Sequence, residues 1–150
     1  PVLVDSRHRL ARFASVDAVT PNEEELEEFA GGPFGDSVDR LSQAARGLMR
    51  QLSCPIVLVT RGSRGMALFE RNAADPALIP VHGTDQVADV TGAGDTVLAT
   101  FSLALASGAT PLEAAHLANL AGGVVVMKMG TATVTPDEIR EAMTQDRSLS

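Results

Sequence analysis

The sequence predicts an α/β fold, a layered sandwich in which helices pack on a mostly parallel sheet. Two observations carry this. Strand-like and helix-like segments alternate along the chain, as in β-α-β units. The strand-like segments, above all Ile56-Val57-Leu58-Val59, are continuous apolar runs, the pattern of strands buried on both faces.

Taken in order, Val2 to Val4 reads as a short strand and Val16-Asp17-Ala18-Val19-Thr20 as a second, ended by Pro21-Asn22. A helix follows over the Glu-rich stretch Glu23 to Phe29 and stops at Gly31-Gly32. Val38, Leu41, Ala45, Leu48 and Leu52 recur at helical spacing, so that segment is an amphipathic helix. The run from Pro55 to Thr60 is the next strand, and Gly62-Ser63-Arg64-Gly65 turns the chain into another, Met66 to Phe69. Residues 71–85 are polar and contain proline, the mark of an exposed hairpin or loop. Val87 to Val90 leads into Thr91-Gly92-Ala93-Gly94-Asp95, then a helix from Thr96 to Ala106 that Gly108 ends. Thr110-Pro111-Leu112-Glu113 and Thr135-Pro136-Asp137-Glu138 are capping boxes with proline at the first helical position, so two more helices begin there.

At 150 residues, 45% of them hydrophobic and 21% charged, the chain can bury the core of one domain. No internal repeat or long linker divides it, so residues 1–150 read as one unit. The net charge of −7 argues against gripping nucleic acid or an anionic membrane surface. It does not argue against nucleotide binding, because phosphate recognition is local. The single cysteine, Cys54, permits no intrachain disulfide and reads as a small buried filler before Pro55. No apolar stretch approaches the roughly 20 residues that span a bilayer, and no charged-then-apolar signal segment opens the chain. The cytoplasm is the expected location. Pro1-Val2-Leu3-Val4-Asp5 reads as a strand already under way, so the chain is expected to be the later part of a longer protein.

The most informative stretch is Asp89-Val90-Thr91-Gly92-Ala93-Gly94-Asp95. Small residues at 92–94 let a ligand approach the backbone closely. A helix starting there turns its first N–H groups and its positive dipole end toward the same spot. That combination holds a phosphate or a developing anion. Asp95, in the first turn, can then accept a hydroxyl proton while phosphoryl charge is neutralised beside it. The plainer alternative is a tight strand-to-helix turn with Asp95 as a helix-dipole partner. Asn22 with Glu25 three residues on is likewise an ordinary capping pair when taken alone. Thr60-Arg61-Gly62-Ser63-Arg64-Gly65, taken alone, is a glycine-rich turn.

Together these segments resemble the ribokinase (PfkB) family of carbohydrate kinases. The family pattern Asp-Thr-x-Gly-Ala-Gly-Asp is approached by residues 89–95, with Val90-Thr91 as the departure. Asn22-Glu23-Glu24-Glu25 looks like the family's Asn-x-x-Glu motif, and residues 60–65 like its nucleotide-phosphate turn. Leu3-Val4-Asp5, Leu58-Val59-Thr60-Arg61, Asp89-Val90-Thr91 and residues 125–131 look most like heptose-phosphate kinase domains within it.

The resemblance implies a ribokinase-like three-layer α/β/α sandwich, partial because the early sugar-binding segment and the β-sheet lid are absent. It implies an ATP-dependent phosphotransferase acting on a small-molecule sugar or sugar phosphate. Asp95 would be the base, and Gly92, Ala93 and Gly94 the anion hole. Asn22, Thr60, Gly62 and Gly65 would lie against the nucleotide phosphates, with Asn119 lining the adenine pocket. Glu25 would serve Mg²⁺. Asp89 and Thr91, with the loop of residues 128–131, would serve a monovalent cation such as K⁺. Arg61 and Arg64 are read as solvated.

The 150 residues alone would be weakly active or inactive, and a homodimer is allowed by the resemblance but not fixed by this sequence, since dimers of the family often form through the lid that is absent here. The competing reading is a non-catalytic nucleotide-binding or scaffolding remnant of such a kinase. No G-x-x-x-x-G-K-[ST] occurs, which excludes a P-loop kinase. Val97 stands where a dinucleotide fingerprint needs its third glycine. His8, His82 and His116 lack metal-ligand spacing.

Overall fold

The computed structural model describes residues 1–5, 12–82 and 92–145. The chain divides into two compact units, Pro1–Gly62 with Met66–Leu78, and Ser63–Gly65 with Ile79–Ser150.

In the first unit the sheet runs β1 (Leu3–Val4), β2 (Ala18–Val19), β3 (Ile56–Thr60) and β4 (Met66–Glu70), in that order. The short strand β5 (Ala77–Ile79) follows beyond β4. β1, β2 and β3 are parallel. β4 returns antiparallel to β3, with Val57 opposite Phe69 and Val59 opposite Ala67. The sheet is therefore mixed, parallel through its first three strands. Val57, Leu58 and Val59 are all fully buried, so consecutive residues on opposite faces are both out of water, as the continuous apolar run required.

Helices α1 (Glu23–Ala30) and α2 (Val38–Leu52) pack on this sheet. The periodic positions of α2, Leu41, Ala45, Leu48 and Leu52, enter one core cluster with Val19, Leu26, Val57, Val59 and Phe69. Each fully buried Leu or Val there contributes about 1.5–3 kcal/mol. Ser37 caps α2 through the Arg40 amide. Cys54 is buried and its Sγ donates to the Ile56 carbonyl at 3.0 Å. Burial pushes its thiol pKa up, which makes it a neutral filler rather than a nucleophile.

The second unit contains α3 (Ala93–Ala106), α4 (Pro111–Val126) and α5 (Pro136–Gln145). Phe101 of α3 and Ala114, Ala115 and Ala118 of α4 are buried. A Cβ on Gly122 would lie 3.0 Å from Val97 Cγ2, so the two helices approach closely at that point. The Thr110–Glu113 capping box forms in both directions, the Glu113 amide donating to Thr110 Oγ1 and the Thr110 amide to Glu113 Oε2. Thr135 and Glu138 repeat it on α5.

The structure shifts one boundary of the sequence reading and refines two of its segments. α3 begins at Ala93, three residues before the expected Thr96. β5 lies inside the stretch read as a hairpin or loop. Residues 62–64 form a 3₁₀ turn. Residues 87–90, read as an extended lead-in, lie outside the described residues. Among the described residues no helix is long and apolar enough to cross a membrane.

The α5 cap carries a pH prediction. Lys128 Nζ lies 2.6 Å from Glu138 Oε1. That contact, with the Thr135 amide, lowers the Glu138 carboxyl from 4.5 to about 2. A carboxyl depressed on folding stabilises the fold above its unfolded pKa and loses that contribution as pH falls through the folded one. The Lys128–Glu138 tie should therefore weaken between pH 4.5 and about 2. In Lys128→Ala the Glu138 carboxyl carbon should titrate closer to 4.5 by NMR. An unchanged titration in that variant would remove Lys128 as the cause.

Candidate functional site

In the second unit the candidate centre is the start of α3. Gly92 is the N-cap residue with φ 81 and ψ 0, a left-handed conformation costing other L-residues about 1–2 kcal/mol. Among the described residues no side chain caps this end, whereas α1, α2 and α4 are capped by Asn22, Ser37 and Thr110. A Cβ on Gly94 would meet nothing within 4 Å, so packing does not demand a glycine there. What the missing side chain leaves open is access to the backbone. Asp95 is the acidic residue of the first turn and is exposed. The loop read as a cation site reaches the same place, since a Cβ on Gly92 would lie 3.6 Å from Thr131 Cγ2. Lys128 of that loop is turned to Glu138 and to the Thr133 carbonyl at 2.7 Å. Asp89 and Thr91 lie outside the described residues.

Asn119 is not on the surface. It is 6% exposed, and its Nδ2 donates to the Pro80 carbonyl at 2.8 Å. The carbonyl of His82 presses on the same helix, 2.6 Å from where a Cβ of Gly123 would stand. Gly65, with φ 74, faces the other way along this strip: its Cβ would fall 2.1 Å from the Ile79 carbonyl oxygen and 2.6 Å from the Val81 amide nitrogen. Residues 79–82 thus run between close glycine contacts and one asparagine hydrogen bond. Sequence reasoning had singled out Gly65 and Asn119 but missed Gly123, whose signal was a Gly-Gly pair inside a helix.

In the first unit the structure brings Asn22, Glu25 and Thr60 together. Asn22 forms a parallel bridge with Thr60, and the Thr60 amide donates to the Pro21 carbonyl at 3.0 Å. These residues stand at the carboxyl ends of β2 and β3, the end of parallel strands where α/β proteins bind ligands. Asn22 and Glu25 also form the complete capping box, with bonds of 2.9 and 2.8 Å. The capping reading of this pair is what these bonds show, and it places the cap at the carboxyl end of the parallel strands. One oxygen, Glu25 Oε2, is committed to the Asn22 amide. A single carboxylate of this kind fits a Mg²⁺ held mainly by water and phosphate. Among the described residues no cluster of three or more His, Cys, Asp or Glu side chains could hold a metal unaided. Gly62 is exposed with φ 57.

Arg61, read as solvated, is not. Its Nε meets Glu23 Oε1 at 3.3 Å, with the two side chains only 9% and 12% exposed. The pair ties the residue after β3 to the first turn of α1, bracing Asn22 and Thr60 from outside. Nothing local foretells it, because the partners are 38 residues apart.

Residues 3–138 match the pfkB family of carbohydrate kinases. Over 145 residues the chain is 47% identical to bifunctional protein HldE of Mesorhizobium japonicum, covering 95% of this chain and 28% of that protein. It is 44% identical over 146 residues to bifunctional protein HldE of Coxiella burnetii, covering 97% and 30%. The chain thus spans under a third of the length of these curated relatives. Among solved structures, Arabidopsis thaliana ribokinase complexed with ribose and ATP superposes with a TM-score of 0.77 at 30% identity, covering 86% of this chain and 41% of the ribokinase. Escherichia coli phosphofructokinase-2 in complex with potassium gives 0.78 at 20% identity, with 91% and 42% covered. The ribokinase-like α/β fold, present in part, is the one the sequence predicted. The chain belongs to the pfkB family of carbohydrate kinases.

Proposed function

We propose that the chain is the C-terminal, nucleotide-binding and catalytic part of one kinase domain. That domain transfers the γ-phosphate of ATP to a hydroxyl of a sugar or sugar phosphate, with a heptose phosphate the first acceptor to try. The observation that carries the reading is the start of α3: a left-handed glycine, no side-chain cap among the described residues, an open face over Gly94, and an acid in the first turn.

In this reading the amides of Gly92, Ala93 and Gly94 hold the developing phosphoryl charge. Asp95 takes the proton of the attacking hydroxyl. Asn22, Thr60 and Gly62 approach the nucleotide phosphates, with Glu25 orienting the water around Mg²⁺, which when bound neutralises phosphate charge. Gly65 holds the return strand of that turn, and Asn119 lines the adenine side. Asp89, Thr91 and the 128–131 loop complete the cation site that the family resemblance implies. The ribose and ATP of the Arabidopsis ribokinase complex support the choice of substrates.

The test is phosphotransfer by the intact protein from Mg²⁺·ATP to a panel of sugars and sugar phosphates. The expected result is ADP release dependent on one acceptor. Nucleotide binding without turnover on any acceptor would favour the non-catalytic remnant instead.

A further inference from the structure

We propose that Arg46, Arg50 and Arg71, with Ser53, form a second anion site that takes the phosphate group of a small phosphorylated molecule. These side chains line, with Met49, a cavity of about 370 Å³ in the first unit, and no carboxylate lines it. Guanidinium groups match phosphate oxygens with paired N–H donors, and three arginines line this one concavity, Arg50 and Arg71 exposed and Arg46 half-buried.

How the three arginines are held supports this. Arg46 Nη2 donates to the carbonyls of Ala73 and Ala74, at 2.8 and 2.6 Å. Both acceptors are neutral, so the guanidinium is fixed in place with its full charge and its other N–H groups remain for a ligand. Among the described residues, Arg50 and Arg71 form no ion pair, unlike Arg61 with Glu23 and Arg140 with Asp137. In a chain of net charge −7, two such arginines beside a third are not explained by internal pairing. Arg50 does complement the carboxyl end of α2, but that role accounts for one cation and not three.

The walls are firm. Met49 is buried. Ser53 sits at φ 52 and closes α2 through the Arg50 and Met49 carbonyls. The Arg71 amide donates to the Pro55 carbonyl at 2.9 Å.

The place is distinct from the Asn22–Thr60 edge proposed above for the nucleotide phosphates. Arg71 and Ser53 flank the Ile56 end of β3, while Thr60 and Asn22 mark the other end of that strand. At about 3.3 Å per residue the two ends are roughly 13 Å apart. The inference therefore stands whether or not the kinase reading does. Cations gathered in one small cavity favour a single compact phosphate over the extended backbone of a nucleic acid.

The test is a titration of the intact protein labelled with ¹⁵N-arginine, read at the arginine Nε–H resonances. The probes are inorganic phosphate, ribose 5-phosphate and uncharged ribose. Both phosphates should shift Arg46, Arg50 and Arg71 saturably, and ribose should not. Tighter binding of the ester would identify an organic phosphate, and equal binding the inorganic ion. Arg50→Ala and Arg71→Ala should each weaken binding by about tenfold or more, and added NaCl should weaken it further. Arg140→Ala, on α5, should leave it unchanged. Absence of saturable shifts, or equal shifts in the Arg50→Ala/Arg71→Ala double variant, would overturn the proposal.

Discussion

Asp95→Asn in the intact protein is expected to lower kcat by about 10²–10⁴-fold, the usual contribution of a positioned base. The change preserves size and shape and removes only the ability to take a proton. Asp95 is exposed in the first turn of α3, so its contribution to folding is limited to a helix-end charge effect of about 0.3–1 kcal/mol. The nucleotide dissociation constant should barely move, because its contacts are assigned to backbone amides, to Asn22, Thr60 and Gly62, and to Asn119, none of which the substitution alters. A fall in kcat with unchanged nucleotide affinity is the pattern of an interaction made only in the transition state. Turnover equal to that of the unaltered protein would take Asp95 out of its role.

Gly65→Ala should act on the fold instead, destabilising it by about 2–5 kcal/mol from overpacking plus left-handed strain. The added Cβ would stand 2.1 Å from a backbone carbonyl oxygen, and no rotamer change relieves a clash with main chain. Gly94→Ala supplies the contrast. Its Cβ meets nothing within 4 Å and the residue lies at negative φ, so stability should hold while turnover falls, the methyl group standing where the phosphoryl must approach. Thermal unfolding and steady-state rates measured on both variants separate the two glycines. Wild-type stability in Gly65→Ala would contradict the close packing of residues 79–81.

What the sequence made legible was local. The Asn22–Glu25, Thr110–Glu113 and Thr135–Glu138 boxes declare themselves because both partners lie within four residues, and each forms with bonds in both directions. The apolar run of β3 and the period of α2 are equally local. The start of α3 was misplaced by three residues because glycine is a poor helix former, and only its φ of 81 at Gly92 reveals the cap. β5 is three residues between Pro76 and Pro80, too short for any periodicity to register.

The Arg61–Glu23 pair and the three-arginine cavity depend on chain crossings that no window spans. Asn119 is different, because its burial had a local signal. From Leu117 to Val126 it is the sole polar side chain of α4, so that part of the helix offers no polar face on which an asparagine could sit. Of the candidate site, the sequence named the residues of each half, and the structure supplies the geometry within each unit.

On the proposed reading, the amides opening α3 hold the phosphoryl group in transfer. The most direct measurement is the chemical shift of the Gly92, Ala93 and Gly94 amide protons in the intact protein, with Mg²⁺, ADP and aluminium fluoride added alongside the acceptor. Large downfield shifts are expected at these three amides, absent with ADP alone. Amides that stay where they were while the protein turns over substrate would contradict it.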